Sequence, residues 1–483
     1  MPPTSYASGS DEFAPILYQR LTTALRQNLT ALRQPGSFAQ NFLVSMSGSA
    51  IVTALGFLVT PILSRIYSPA AYGQFAVFNS VVNNLNVLAT LAYTSAIPLP
   101  RAKRDALAVV QLNVVLTLGM FGVVIVALGL LGAHLVRWLD LQSLGAWIYL
   151  IPVLMLLYNF GLTMSSWYIR TKSFRTRSTA DVTMSVVGRG FTLGYGWLSG
   201  GYSAGLILGD AFGKVTLFVG LLRSGFQQEL GALWRTFSWR RIWRAAYKYR
   251  EFPLYVLPAG YVRTLSIQLP VLLLSSSFGA TIAGSYSFAA ALLDIPLALI
   301  GAGIAPVFYQ KAAEVQNTEP ERLKDITLNI YNKLLYLGLL PLGFITIFGD
   351  WIFKYIFGPK WEMSGVFTGY LGYYYIFQLT SHATSMIYNV LGKQNHGLIT
   401  SGALLGARAL ALSIGIYYHD ANLAMLLFGL SSLLVTFLID MQVMHFLRLP
   451  VFRIAMRTVG MMLITLGFLK GLRYGIEHFF PNL

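Results

Sequence analysis

The chain has 483 residues, of which 55% are hydrophobic and only 11% charged; its mean hydropathy is +0.60 and its formal net charge +17. A soluble domain carries about 25% charged residues, so this composition excludes an ordinary water-soluble enzyme and leaves enough apolar chain for a dozen spans of about 20 residues. The absence of cysteine excludes disulfides, thiolate metal sites and thiol catalysis.

Residues 1–40 read as a polar cytoplasmic tail without a secretory signal. Within it Leu17, Leu21, Leu25 and Leu32 alternate with Arg20, Arg26 and Arg33, so 13–33 reads either as an amphipathic helix on the membrane surface or as a disordered tail. Apolar segments then recur over 42–64, 72–97, 107–133, 147–169, 181–200 and 204–223. A basic linker over 225–252 separates them from a second series over 253–275, 281–307, 331–357, 366–391, 398–418 and 422–446. The expected fold is an all-α polytopic membrane protein with two pseudo-symmetric six-helix bundles, 41–224 and 253–447. In the tail over 448–483 the apolar run 458–472 is either a thirteenth span or an interfacial helix.

Charge sets the expected orientation. With the N-terminus inside, the cytoplasmic connections hold 25 Lys and Arg residues, and the opposite set holds four: Arg65, Arg137, Lys354 and Lys360. Basic residues concentrate in cytoplasmic loops, so the net charge signals topology and not nucleic-acid binding. Counting Lys470 and Arg473 argues weakly against 458–472 crossing. The two series also resemble a parallel repeat: Gly73 and Gly284, 211 residues apart, open the second helix of each half. Repeated halves around a central cavity are a transporter plan.

Polar stripes within spans mark either a cavity or interhelical hydrogen bonds. Asn79, Asn83, Asn86 and Thr90 share one helical face, as do Gln378, His382, Ser385 and Asn389; three asparagines in register favour a cavity, whereas the Ser45, Ser49, Thr53 and Thr60 stripe favours helix contact. His382 reads as a hydrogen-bonded interior histidine or a proton sensor. Charges are sharper signals, because each costs about 2.5–3.5 kcal/mol at a helix centre. Arg189, Lys214, Arg263 and Arg408 are the basic residues inside spans; Asp210, Asp294 and, nearer the cytoplasmic end, Asp440 are the acidic ones. Asp210 and Lys214, four apart, are expected to pair. Arg263 and Asp294 either neutralise each other or line the cavity. No metalloprotease, nucleophile-elbow or Walker A pattern occurs, so neither an enzyme nor a cofactor is expected.

The segment Tyr72–Arg101, with Tyr72-Gly73, the Val87–Leu91 run and Ala96-Ile97-Pro98-Leu99-Pro100, resembles the bacterial polysaccharide and O-antigen flippases of the multidrug/oligosaccharidyl-lipid/polysaccharide exporter superfamily. Ile295-Pro296 through Tyr309 resembles the eighth helix of that family. The likeness extends over roughly 40–446; the chain departs from it at Ala92 and Thr94, where many relatives carry Arg and Glu. The resemblance implies translocation of an undecaprenyl-diphosphate-linked oligosaccharide across the bacterial inner membrane by alternating access, for O-antigen or exopolysaccharide biosynthesis. It implies as partners the lipid-linked substrate, membrane lipids, and a glycan polymerase with export machinery. Arginine chelates phosphate oxygens in bidentate fashion, which makes Arg263 and Arg408 the first candidates for the diphosphate and Arg189 the third. Asn79, Asn83, Asn86, Gln378 and Asn389 are the expected glycan path, and Asp294 the coupling or pairing carboxylate. The rival readings are a cation-coupled multidrug exporter of the same superfamily, which predicts an acidic cavity, and a membrane glycan polymerase, which predicts a long outer loop.

Overall fold

The structure, a computed structural model, describes residues 38–138 and 142–479; the segment 13–33 lies outside them. Among the described residues all regular structure is helical. The first bundle consists of α1 (Phe38–Ile66), α2 (Pro69–Ala89), α3 (Lys103–Trp138), α4 (Ile151–Arg170), α5 (Phe174–Ser199) and α6 (Ser203–Leu221). Two short helices, α7 (Gln227–Arg235) and α8 (Trp239–Lys248), form the linker. The second bundle runs α9 (Leu257–Phe278), α10 (Ala280–Thr318), α11 (Leu323–Ile352), α12 (Glu362–Thr384) with the one-turn α13 (Met386–Val390), α14 (Gln394–Tyr417) and α15 (Ala421–Phe446); α16 (Val451–Phe479) follows.

Among the described residues ten helical segments are long and apolar enough to cross a membrane. Of the twelve bundle helices, α2, α5 and α12 are not among them, and these three carry the asparagines, Arg189 and Gln378. A helix enclosed by others on its polar face does not need a lipid-compatible surface all round. The lipid-facing helices do: Leu58, Leu130 and Ile464 are among many large apolar side chains left exposed. The chain is a multi-pass membrane protein.

Three expected boundaries differ. The span over 72–97 stops at Ala89, because Leu91 and Ala92 adopt positive φ (48° and 62°) and the chain continues as a single turn over Tyr93–Ala96. The span over 366–391 breaks after Thr384 into α12 and α13. The short apolar run 458–472 is the middle of the 29-residue α16, which packs along α11. Arg473 there pairs with Asp350 at 2.7 Å near the end of α11, and α16 is long and apolar enough to cross a membrane.

The bundles meet where α2 and α10 cross, and their reciprocal contact expresses the repeat. A Cβ on Gly73 would overlap the Ala280 carbonyl oxygen, and a Cβ on Gly284 would overlap that of Pro69. Gly284 follows Gly73 by 211 residues, and Ala280 follows Pro69 by the same offset. Small residues let helix backbones approach closely in lipid. We call the side where α6 ends and α9 begins the linker face.

Candidate functional site: adjoining cavities within and between the bundles

On the face away from the linker the two bundles are sealed together. Trp361 Nε1 donates to the Ser64 carbonyl (2.9 Å), Ser64 Oγ to the Phe357 carbonyl (3.1 Å), Arg65 Nη2 to the Tyr355 carbonyl (3.0 Å) and Lys360 Nζ to the Arg65 carbonyl (3.0 Å). Burial, then the Arg65 guanidinium, pushes the Lys360 ammonium below its ordinary value. Phe288 stacks on Trp361 at 3.9 Å between centroids, and the Tyr72 ring meets both edge-on at 5.3 and 5.1 Å. Indole and phenol rings bury apolar area while a polar atom finds a partner, which suits a seal.

Beneath this seal lie three adjoining cavities. The first, about 600 Å³, lies within the first bundle between α1, α5 and α6, and is lined by Ser49, Thr53, Thr60, Asp181, Arg189 and Asp210. The second, about 210 Å³, lies between the bundles and shares Thr60, Tyr72 and Phe75 with the first. The third, about 250 Å³, shares Ala76, Asn79, Ser287 and Ala291 with the second and reaches Asp294, Gln378 and Arg408. Asn79, near the middle of α2, borders both inter-bundle cavities.

The two arginines at the ends of this series differ in how they are held. Arg408 is only 4% exposed. Its Nε donates to Ser432 Oγ (3.0 Å), its Nη1 to the Ser266 carbonyl and hydroxyl (3.0 and 2.9 Å), and its Nη2 to the Tyr374 hydroxyl; the guanidinium also faces the Phe428 ring at 5.0 Å. Four of five N–H groups are therefore committed. Arg189 donates through Nη1 alone, to the Val52 carbonyl (3.0 Å) and Ser185 Oγ. Among the described residues its Nε and Nη2 have no hydrogen-bond partner, and neither arginine has an ion-pair partner. Among the described residues Arg189, which lines the first cavity, thus keeps three N–H groups without a hydrogen-bond partner, and Arg408 keeps one.

The other candidates separate. Lys214 is buried, pairs with Asp210 and lies 5.7 Å from the Tyr158 ring, outside the cavity lining. Arg263 is exposed and, among the described residues, neither pairs with Asp294 nor lines any of the three cavities; it stands one turn before Ile267, which lines the third. Asp294 shares the third cavity with Arg408 and Tyr375 instead. Asn86 is committed elsewhere: its Oδ1 accepts from Asn159 Nδ2 of α4 at 2.9 Å, both residues being buried. Asn83 is half-buried and lines none of the three cavities. His382 is exposed, with Nδ1 2.8 Å from the Gln378 carbonyl, and Asn389 is exposed beyond the break after α12. Neither lines the cavities: His382 projects from the last turn of α12 to the exposed side, and Asn389 lies past the break, where the stripe is no longer carried on one continuous helix. Gln378 does, and its buried Oε1 lacks a partner among the described residues.

Several site residues escaped the sequence reading. Asp181 sits at the start of a span where acidic residues are ordinary, 4.0 Å from Arg177. Tyr374 and Tyr375 belong to an apolar-looking run, although three successive tyrosines, Tyr373 to Tyr375, are a signal. Asp440, which the sequence did single out, lines none of the three cavities: it is fully buried and accepts from the hydroxyls of Thr380 (2.5 Å), Ser381 (2.8 Å) and Thr384 (2.5 Å) of α12.

A family model described as a polysaccharide biosynthesis protein matches residues 62–365. No curated protein matches the chain by sequence. Among solved structures, the lipid II flippase MurJ in an inward closed conformation is similar at TM-score 0.63 and 9% identity, covering 89% of this chain and 99% of its own length. A multidrug resistance MATE family transporter of the MOP superfamily, inward-facing, is similar at 0.62 and 14%, covering 87% and 98%. A MOP superfamily transporter from Pyrococcus furiosus, described by a reversed polarity of its binding pocket, is similar at 0.57 and 14%, covering 87% and 98%. At these identities the likeness shows the shared fold.

Proposed function

The chain belongs to the polysaccharide biosynthesis protein family, and from that premise we propose that it is a flippase. Its substrate in this reading is an undecaprenyl-diphosphate-linked oligosaccharide, moved from the cytoplasmic to the periplasmic leaflet of a bacterial inner membrane. The excess of basic residues on the linker face makes that face cytoplasmic, so the sealed face is periplasmic and the N-terminus lies inside. The observation that carries the reading is Arg189: a guanidinium on a cavity deep within the spans that has, among the described residues, three N–H groups without a partner and no carboxylate in ion-pair contact. A diphosphate satisfies such a group through bidentate contacts. Asn79 and Gln378 supply amides to sugar hydroxyls, and Arg408, fixed by four hydrogen bonds, holds the third cavity electropositive.

Exchange between states opens the seal around Trp361 and closes the opposite side, moving the diphosphate outward. Two negative charges crossing about 100 mV, inside negative, gain roughly 4–5 kcal/mol, enough to bias export without a coupling ion. Asp181 and Asp294 on the cavity walls favour a second reading, a cation-coupled exporter. The experiment is deletion in a strain without a redundant flippase. Accumulation of lipid-linked repeat units on the cytoplasmic leaflet, reversed by the wild-type chain and not by Arg189→Gln, is expected. Normal surface polysaccharide in the deletion strain would sink the proposal, and proton- or sodium-dependent drug efflux would favour the second reading.

A further inference from the structure

Helix α8 presents three different faces in ten residues. Ile242 and Ala245 are buried against the first bundle, where Ile242 packs with Tyr93 and Leu112. Further ties run to the same bundle: Tyr93 Oη donates to the Ala246 carbonyl (2.9 Å), Gln111 Nε2 to the Leu233 carbonyl (2.8 Å), and Lys103 pairs with Glu229 (2.9 Å). Beside the buried face runs an aromatic stripe of Trp239, Trp243 and Tyr247, spaced by four residues and 57%, 72% and 69% exposed. Next to it runs a basic stripe of Arg240, Arg244 and Lys248, again spaced by four and exposed. Among the described residues none of these three, nor Arg241, has an ion-pair partner. Over 223–252 there are seven basic residues against Glu229 and Glu251, and Glu229 is taken by Lys103.

Helix α8 lies between the ends of two spanning helices, α6 and α9, so its place in the chain is the membrane boundary. We infer that the aromatic and basic stripes form a docking surface for anionic lipid headgroups of the adjoining leaflet. The indole and phenol rings enter the boundary between headgroups and acyl chains, and the guanidinium groups and ammonium meet lipid phosphates. This assignment does not depend on the transported substrate. Because the linker is tied to the first bundle, the surface fixes that bundle at the leaflet. The chain reaches the second bundle through the wide helical turn Phe252–Val256, which contains Pro253.

The cysteine-free sequence allows a direct test in the full-length protein. Trp243→Cys carries an environment-sensitive fluorophore, in nanodiscs of phosphatidylcholine alone or with phosphatidylglycerol. Shallow spin-labelled lipid is expected to quench the fluorophore and aqueous iodide to be excluded, more strongly with phosphatidylglycerol and less in high salt. Each basic side chain near an anionic leaflet favours association about fivefold. Arg240→Gln, Arg241→Gln and Arg244→Gln together are therefore expected to weaken the phosphatidylglycerol preference roughly a hundredfold, to the point that the two lipid compositions give equal quenching. Equal iodide access in both compositions for the parent, or an unchanged lipid preference in the triple variant, overturns the inference; shielding only when an acidic protein partner is added also overturns it. Tyr247→Cys provides a second label position should the first perturb the helix.

Discussion

Arg189 and Arg408 are both arginines near the middle of a helix, yet they answer to different measurements. Arg408 binds groups on three other helices, so Arg408→Lys leaves the Ser266, Tyr374 and Ser432 contacts largely unmade. Breaking such buried, charge-assisted bonds costs about 2–4 kcal/mol, and a lower thermal midpoint in detergent together with lost export is expected. Arg189 has fewer partners to leave behind. Arg189→Gln is expected to reduce export about 10–100-fold, the value of one or two charge-assisted contacts, with little change in the midpoint. Equal thermal losses in the two variants would contradict the different roles. At this scale the sequence located both charges, since a basic residue inside an apolar run is conspicuous. It ranked Arg189 last, because the number of uncommitted N–H groups depends on neighbours contributed by other helices.

At the scale of helices, the α2 stripe divides its work. Asn79 lines cavities, whereas Asn86, seven residues on, bonds Asn159 of α4. A double-mutant cycle of Asn86→Ala and Asn159→Ala, read by thermal midpoint, is expected to give a coupling of about 0.6 kcal/mol, the average for such pairs in membranes. Export by Asn86→Ala should stay close to wild type; a specific loss of export there would return Asn86 to the glycan path. The α2–α10 crossing gives a second expectation. Gly73→Leu places a side chain where the Ala280 carbonyl stands and is expected to loosen the seal. A membrane-impermeant maleimide applied from the sealed side should then label Asn79→Cys faster in the Gly73→Leu background, and unchanged labelling would remove the glycine contact from the gate.

For the whole molecule, the seal on the face away from the linker is the joint that the proposed alternating access requires to open. Arg65 of α1 reaches the carbonyls of Tyr355 and Ile356 at 3.0 and 3.2 Å. A short, cleavable bifunctional reagent joining Arg65→Cys to Ile356→Cys is expected to stop export, and cutting it to restore export. Transport that continues at full rate while the crosslink is intact would rule out rocking at this joint.

Membrane class, helical content and the six-plus-six series were determined by the sequence itself, because an apolar run long enough to span a bilayer is a local property. So was the repeat: Gly73 and Gly284 are recognisable at equal places in the two series. Tertiary structure alone decided which polar groups share a space. Helices cross at an angle, so one face of α2 meets α10 beside Asn79 and α4 beside Asn86, and equal spacing along the chain does not mean equal surroundings. It decided likewise that α12 breaks before Asn389 and that α16 lies along α11, where Asp350 meets Arg473 across 123 residues of chain. Those outcomes depend on partners distant in sequence, and their hydrogen bonds, not helical periodicity, determine what each side chain does.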